Sequence, residues 1–337
     1  MKIRKINLIY FKIGIGKKNM ESSENLNLNF IVDYNMSLFY IVNCWSKWDI
    51  DVNESYYNYF KENLSFNEED DEFLKKFAAI RIQNKIGWDS ESELASWASH
   101  NFPSHEKFDL FKPILNHFES KTYRNGENFG NFLKREVDKL ETLKLQKEYE
   151  DLDAQDLIRK LCLLNPEYKN LKSVNCYLVY GIDKGSGGAG ANGGDMIVEI
   201  SPIAGDAVVK DTASKLVHEY IHIAVCIKKR LLNEEKTKDK FNIPFPGFEG
   251  RNLADLFEEL FAYSVCNTLI DHYDASKKIE KYSQYKQQIY REAYFWWSHV
   301  DEFGESLKDF INGKTNPEEC LNILIEKYLS YLSISNR

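Results

Sequence analysis

The chain has 337 residues, of which 43% are hydrophobic and 28% are charged, and its formal net charge is −8. This composition is typical of a globular protein with one large core or two modest ones. The acidic balance argues against nucleic acid as the main partner, because phosphate binding needs a basic surface. No stretch of 18 apolar residues occurs, so neither a transmembrane helix nor a membrane partner is expected.

The cysteines and the N-terminus bear on the compartment. Six cysteines lie in apolar surroundings without a Cys-x-x-Cys pair, which fits reduced, buried thiols better than a disulfide framework. The N-terminus starts with positive charge and turns apolar, but Lys12 interrupts the apolar run and no small-residue cleavage site follows. A strand fits this segment better than a signal peptide, so a cytoplasmic protein is expected.

The first half of the chain predicts a β-hairpin followed by helices. Residues 1–32 alternate apolar and polar side chains around a Gly-Ile-Gly-Lys-Lys turn, which is typical of two strands. The acidic run at 68–72 is expected at a helix N-terminus, where carboxylates are favourable, with a calcium site as the alternative. The charged segment 129–149 is expected at the surface. Helical spacing of apolar residues predicts helices over 36–48, 54–64, 70–86, 91–100, 105–119, 129–149 and 153–163.

The predicted secondary structure changes from helices to strands near residue 165. Residues 173–182 and 196–200 are rich in strand formers, and the glycine-rich segment 185–195 lies between them. Helices are expected over 211–230, 253–273, 275–298, 300–311 and 317–333. The fold class predicted is therefore α+β, predominantly helical with a small mixed β-sheet.

Two regions are expected within this fold. Residues 1–165 form a mostly helical region with the N-terminal β-hairpin, and residues 166–337 form the second domain. The boundary is soft, because the segment 129–163 fits either unit.

One stretch carries a recognisable chemistry, the His218-Glu-x-x-His222 motif within Lys215–Cys226. Residues four apart lie on one face of a helix, so His218 and His222 can bind one metal ion. Glu219 lies one residue further round the helix, where it can reach a water on that metal without binding the metal itself. This pattern on a helix is that of a zinc metallopeptidase. The alternative is a pair of histidines buried in a core.

A catalytic zinc ion needs a third protein ligand and an open fourth position. The glycine and third histidine that metzincins carry after this motif are absent, which excludes that class. An apolar helix further along offers Glu258 and Glu259, and the residues alone do not choose between them. Cys226, one turn after His222, is the candidate fourth ligand of a structural site.

These residues resemble the gluzincin metallopeptidases, which include thermolysin and related aminopeptidases. The stretch Glu258-Glu259-Leu-Phe-Ala262 is similar to the Asn-Glu-Gly-Phe-Ala of the aminopeptidases. The resemblance, which covers about 185–265, implies a zincin-like metallopeptidase fold of a bacterial branch. It also implies Zn²⁺ as cofactor and Glu259 as third ligand, with Glu258 as the fallback.

The glycine-rich segment extends the resemblance. Gly188-Ala-Gly-Ala191-Asn192 is similar to the family's Gly-Ala-Met-Glu-Asn, which lies on the edge strand that pairs with the substrate. Ala191 replaces the glutamate that holds a substrate's free amine, so an endopeptidase is favoured over an aminopeptidase. Either this segment or the strand at 196–200 is expected to align the peptide, and a flexible hairpin connection is the alternative for the glycines.

Two positions depart from the family. Tyr263 replaces the aspartate that orients a zinc histidine one turn after the ligand glutamate in thermolysin, and Asp255 is the candidate substitute. Gluzincins stabilise the oxyanion with a Tyr or His, and Tyr290 or Tyr294 is predicted for this role. Both tyrosines belong to an aromatic run over residues 290–299, and packing in the hydrophobic core is the alternative role for this run. Further candidates for the oxyanion role are Tyr282, Tyr285 and His299.

The function predicted is zinc-dependent hydrolysis of a peptide or protein substrate, with Glu219 activating a zinc-bound water. The alternative from another class is a non-catalytic zincin-fold binding or regulatory protein whose metal is structural or lost. A third reading is metal-dependent hydrolysis of a non-peptide substrate such as an amide or a lipid.

Overall fold

The computed structural model describes residues 27–46, 59–60, 62–83, 108–166, 173–182, 187–192, 195–244, 252–269 and 288–335. Its strands are β1 (Asn27–Val32), β2 (Ser173–Tyr180), β3 (Gly187–Asn192) and β4 (Asp195–Ile200). Its α-helices are α1 (Tyr34–Trp45), α2 (Glu68–Gln83), α3 (Lys112–Glu119), α4 (Phe129–Val137), α5 (Thr142–Asp151), α6 (Ala154–Leu161), α7 (Asp206–Ala224), α8 (Ile227–Asn233), α9 (Glu235–Phe241), α10 (Leu253–Ser264), α11 (Gln288–Ile311) and α12 (Pro317–Ser335). The α+β class, mostly helical with a small mixed sheet, is confirmed.

The four strands form one sheet in the order β1-β2-β4-β3, with β1, β2 and β4 parallel and β3 antiparallel at the edge. The central strands β2 and β4 bury most of their side chains. Strands buried on both faces need near-continuous apolar sequence, which is why 173–182 and 196–200 could be recognised. A hairpin is predicted for residues 1–32. Its first strand lies outside the described residues, and its second strand is β1, which pairs with β2.

The glycine-rich segment contains a strand rather than only a connection. Gly187–Asn192 pairs antiparallel with β4, so that Gly188 lies opposite Glu199 and Ala189 opposite Val198. Helix α7 packs closely against β3. Small residues permit such a close approach of another element, although their composition disfavours strands in general.

Helix α1 is buried on nearly all sides, as its apolar sequence predicts. Asp33 caps it by accepting a hydrogen bond from the Met36 amide at 2.8 Å. The helix packs against β2, and its Tyr40 hydroxyl donates to Glu199 on β4 at 2.9 Å. Trp45 at its end lies among the aromatic rings of Phe60, Phe66, Phe118 and Phe129.

The expectation of a surface helix at 129–149 is wrong in two respects. The segment forms two helices, α4 and α5, and α5 packs against both β1 and α7. Leu145 and Tyr149 are buried on α5 because residues four apart form an apolar stripe, even though the rest of the helix is charged. One hydrophobic core includes residues from both sides of position 165. The division into two domains at that position stays a prediction.

The C-terminal helices α10, α11 and α12 contribute buried residues to this core. Helix α10 continues beyond Ser264 as a π-helical segment, Val265–Leu269. The helix α11 runs unbroken through residue 299, where two helices were expected. Gly304 allows α11 to approach the π-helical segment, since a Cβ atom there would lie 2.0 Å from Thr268 Oγ1. Segment 270–287 lies outside the described residues.

The cysteines follow the expectation of free thiols. No disulfide joins any of the six, all of which are among the described residues, and Cys44, Cys176, Cys266 and Cys320 are buried. The two others, Cys162 and Cys226, are partly buried. Within the part of the chain that the structure describes, no helix combines the length and apolarity needed to cross a bilayer.

Candidate metal centre

The two histidines of the motif meet on one face of α7. Their Nε2 atoms lie 3.0 Å apart. His218 is almost fully buried, with 6% of the residue exposed, and the side chain of His222 is 14% exposed. The helical spacing of four residues therefore produces the pair that the sequence predicts.

Glu259 completes the group from α10. Its Oε2 atom lies 3.4 Å from Nε2 of His218 and 3.7 Å from Nε2 of His222. One ligand atom from each of the three residues lies within 4.8 Å of the others. Among the described residues this is the one cluster of His, Cys, Asp or Glu side chains with metal-ligand spacing.

A capping box and an ion pair hold the start of α10, the helix that carries Glu259. Asn252 and Asp255 form a capping box, in which each side chain accepts from the other residue's amide, at 3.1 and 2.8 Å. Lys228 at the start of α8 forms an ion pair with Asp255, with 2.6 Å between Nζ and Oδ1. Asp255, the candidate orienting residue for a zinc histidine, is thus engaged in capping and in the contact with α8.

The donor atoms fit a zinc ion. Zinc holds nitrogen and carboxylate oxygen ligands at about 2.0–2.2 Å in a tetrahedron, so two neighbouring ligand atoms are about 3.3–3.6 Å apart. The three distances of 3.0, 3.4 and 3.7 Å bracket this range. Two imidazoles and one carboxylate leave a fourth position for water or substrate, which is the pattern of catalytic sites.

Glu258, the other candidate ligand, lies on the opposite side of His222. Its Oε2 atom is 3.4 Å from Nδ1 of His222, and its Oε1 atom accepts a hydrogen bond from the Lys228 amide at 3.1 Å. Its side chain is 14% exposed, compared with 24% for Glu259. Glu258 therefore lies deeper, behind the imidazole, and outside the group of three.

The charge around His222 favours a cation. Burial lowers the pKa of His222, but Glu259, Glu258 and Glu219 together outweigh this and raise the pKa to about 10. Three carboxylates close to one imidazole thus form a site that binds positive charge. A proton on His222 and a divalent metal ion between the ligands are two ways of supplying it.

Glu219 lies beside the cluster without belonging to it. It is partly exposed, and its charge acts on His222. It also acts on Cys266, the pKa of which is raised mainly by burial and further by Glu219. Glu219 thus acts on His222 from outside the cluster of three residues, and its role as a general base stays a prediction.

Aromatic rings cover His218. The ring centroid of Tyr263 lies 4.4 Å from that of His218. The ring centroid of Trp297 on α11 lies 5.0 Å from that of Tyr263. Nδ1 of His218 is buried and has no hydrogen-bond partner among the described residues. Tyr263 therefore makes a packing contact with His218.

The predicted oxyanion-binding residues are only partly placed. Tyr290 and Tyr294 lie on α11, but their side chains are outside the described part of the structure, so their role stays a prediction. Tyr282 and Tyr285 fall in the segment outside the described residues. His299 stacks on Tyr331 with 3.9 Å between the ring centroids, and burial lowers its pKa, which is the environment of a packing residue.

Cys226 does not join the metal cluster. Helix α7 ends at Ala224, and Cys226 adopts a left-handed conformation with φ of 47° before α8 begins. The one-turn spacing from His222 therefore does not place its sulfur on the helix face of the two histidines, because the helix stops first.

No protein-family model, curated protein or solved structure gave a significant match to this chain. The functional assignment consequently depends on the geometry of the site.

Proposed function

We propose that this protein is a zinc-dependent metallopeptidase with a zincin-like fold, and that it cleaves within peptide or protein chains. The observation that carries the proposal is the convergence of His218, His222 and Glu259 on one point, with ligand atoms within 4.8 Å of one another. The chemistry of this donor set, two imidazoles and one carboxylate, is that of hydrolytic zinc sites, in which water takes the fourth position.

The edge strand gives a second line of support. β3 is antiparallel, lies at the edge of the described sheet and packs against the helix that carries both histidines. Alternate residues of an edge strand turn their N–H and C=O groups away from the sheet, where an extended peptide can pair with them. A substrate bound there would pass close to the zinc ligands.

The proposed roles follow from these positions. Bound zinc would polarise the scissile carbonyl and lower the pKa of a coordinated water to about 7. His218, His222 and Glu259 would hold the metal. Glu219 accepts the proton of the attacking water and then delivers it to the leaving amine.

The oxyanion donor is proposed from α11. Tyr290 and Tyr294 belong to α11, seven and three residues before Trp297. Trp297 packs against Tyr263, which in turn lies on His218. A tyrosine hydroxyl from this helix would stabilise the developing oxyanion.

The test combines metal content with cleavage. We expect the purified chain to contain about one zinc ion by elemental analysis, and to cleave internal bonds in a peptide library read by mass spectrometry. Removal of zinc with a chelator should abolish cleavage, and added zinc should restore it. Glu259→Gln should lose zinc, whereas Glu235→Gln, which changes an exposed carboxylate of α9, should keep it. A protein that neither contains nor takes up zinc would refute the site, and a zinc-loaded protein without hydrolytic activity would favour a binding or regulatory protein.

A further inference from the structure

The two histidines differ in what lies behind them. Nδ1 of His222 faces the carboxylate of Glu258 at 3.4 Å. Within the described part of the chain, Nδ1 of His218 is buried without a hydrogen-bond partner, and the ring of Tyr263 covers that imidazole at 4.4 Å between the ring centroids. One ligand therefore has a charged partner on its second nitrogen, and the other is held by packing.

We propose that Glu258 is a positioning residue that fixes the tautomer and the ring orientation of His222 for metal binding. This inference rests on the zinc site of the proposed function. A neutral imidazole binds a metal through Nε2 only when its proton is on Nδ1, and a carboxylate next to Nδ1 stabilises that tautomer. Such outer partners also make the imidazole a stronger ligand.

Glu258 is itself held in place by the backbone. Its Oε1 atom accepts from the Lys228 amide at 3.1 Å, while its Oε2 atom faces His222. The left-handed turn at Cys226, between α7 and α8, is what brings the Lys228 amide to this point. Oε1 thus has the Lys228 amide as its donor, and Oε2 lies within ion-pair distance of Nδ1 of His222, so the position uses both oxygens of the carboxylate.

This arrangement moves the orienting carboxylate to a new place. In thermolysin-like enzymes the aspartate follows the ligand glutamate by one turn, and here Tyr263 occupies that position. This chain instead uses the residue directly before the ligand Glu259. Adjacent residues on a helix point about 100° apart, so Glu258 and Glu259 can approach the same imidazole from two sides.

The decisive variant is Glu258→Gln. A glutamine has one acceptor and one donor group, so it cannot accept from both the Lys228 amide and Nδ1–H of His222. We expect the zinc dissociation constant, measured by competition with a chromophoric chelator, to rise about 10- to 100-fold. The d–d absorption of the cobalt-substituted variant should also shift. The matched control is Glu235→Gln, which makes the same substitution at an exposed residue of α9, and its zinc affinity should stay within about threefold of wild type.

The structural alternative has a different outcome. If Glu258 only ties α10 to α8, Glu258→Gln will lower the denaturant midpoint of the zinc-free protein and leave zinc affinity and the cobalt spectrum unchanged, which would overturn the proposal. Should the variant not fold, the ring nitrogen resonances of His222 in the zinc-bound wild type decide. Nδ1 carrying a proton supports the proposal, and Nδ1 bound to metal overturns it. Wild type without zinc would refute the proposed function, whereas zinc-binding wild type with an unaffected Glu258→Gln would refute this inference alone.

Discussion

At the scale of single residues, three glutamates act on His222 from three different positions. Glu259 belongs to the metal cluster and Glu258 lies behind His222, whereas Glu219 lies beside the cluster without belonging to it. The sequence predicts His218, His222 and Glu219 from local helical spacing alone. It leaves Glu258 and Glu259 undecided, because their roles depend on the rotation of α10 against α7, which long-range packing determines.

Cys226 gives a prediction about the class of metal site. Cys226→Gly should keep the zinc dissociation constant within about twofold of wild type, because the cysteine is outside the metal cluster. Glycine also adopts the left-handed conformation of this position without strain, so the Lys228 amide should remain in place. The measurement is chelator competition on both proteins. A loss of affinity of tenfold or more would indicate a fourth protein ligand and hence a structural zinc site.

At the scale of elements, local patterns predict the existence of most helices but not their limits or surroundings. The break expected between 298 and 300 is absent, and α11 is continuous. Local sequence does not predict the strand β3, because glycine disfavours strands. The pairing of β3 with β4 is a tertiary contact, which a local pattern does not contain. The burial of α5 likewise depends on two residues, Leu145 and Tyr149, within a charged helix.

Asp70 connects α2 to α3, because it contacts His117 on α3 and Lys121 just after that helix. The acidic run predicted at a helix N-terminus does begin α2, and its Asp70 is fully buried. Asp70 accepts from Lys121 at 2.6 and 2.7 Å and from the Asn67 amide at 2.7 Å, and it lies 2.8 Å from Nε2 of His117. Burial raises the pKa of Asp70, but these donors outweigh it and hold the pKa below its usual range.

A pH-dependent stability prediction follows. A carboxyl with a depressed folded-state pKa contributes stability that is present above its unfolded pKa of about 3.9, and that stability is lost as the pH falls through the folded pKa. Asp70→Asn should therefore lower the free energy of unfolding by about 3 kcal/mol at pH 7, because it leaves Lys121 without its buried partner. Below about pH 4 the difference between the two proteins should shrink, and it should go on falling as the pH approaches the depressed folded-state pKa of Asp70. Urea unfolding at pH 7 and pH 3 measures this.

The control for this prediction is Asp71→Asn, which changes an exposed carboxylate in the same helix turn. It should change the unfolding free energy little at either pH. A constant difference between wild type and Asp70→Asn at pH 7 and pH 3 would contradict the role assigned to the ionised carboxylate.

At the scale of the whole molecule, the sequence predicts the α+β class but not the topology. The strands at 173–182 and 196–200 are recognisable locally, whereas their parallel pairing through the crossover that contains β3 is not. β1 comes from the first part of the chain and joins the sheet only because it pairs with β2, about 140 residues later. The edge position of β3 beside α7, which the proposed substrate alignment needs, is a property of this global arrangement.

The most direct test of a zinc peptidase compares wild type with Glu219→Gln after both have been loaded with zinc. Glu219 lies beside the ligands but outside the metal cluster, so the variant should bind zinc as wild type does. It should lose about 10²–10⁴-fold in the rate of peptide cleavage, because the general base is gone. Equal cleavage rates at equal zinc content would contradict the proposed function.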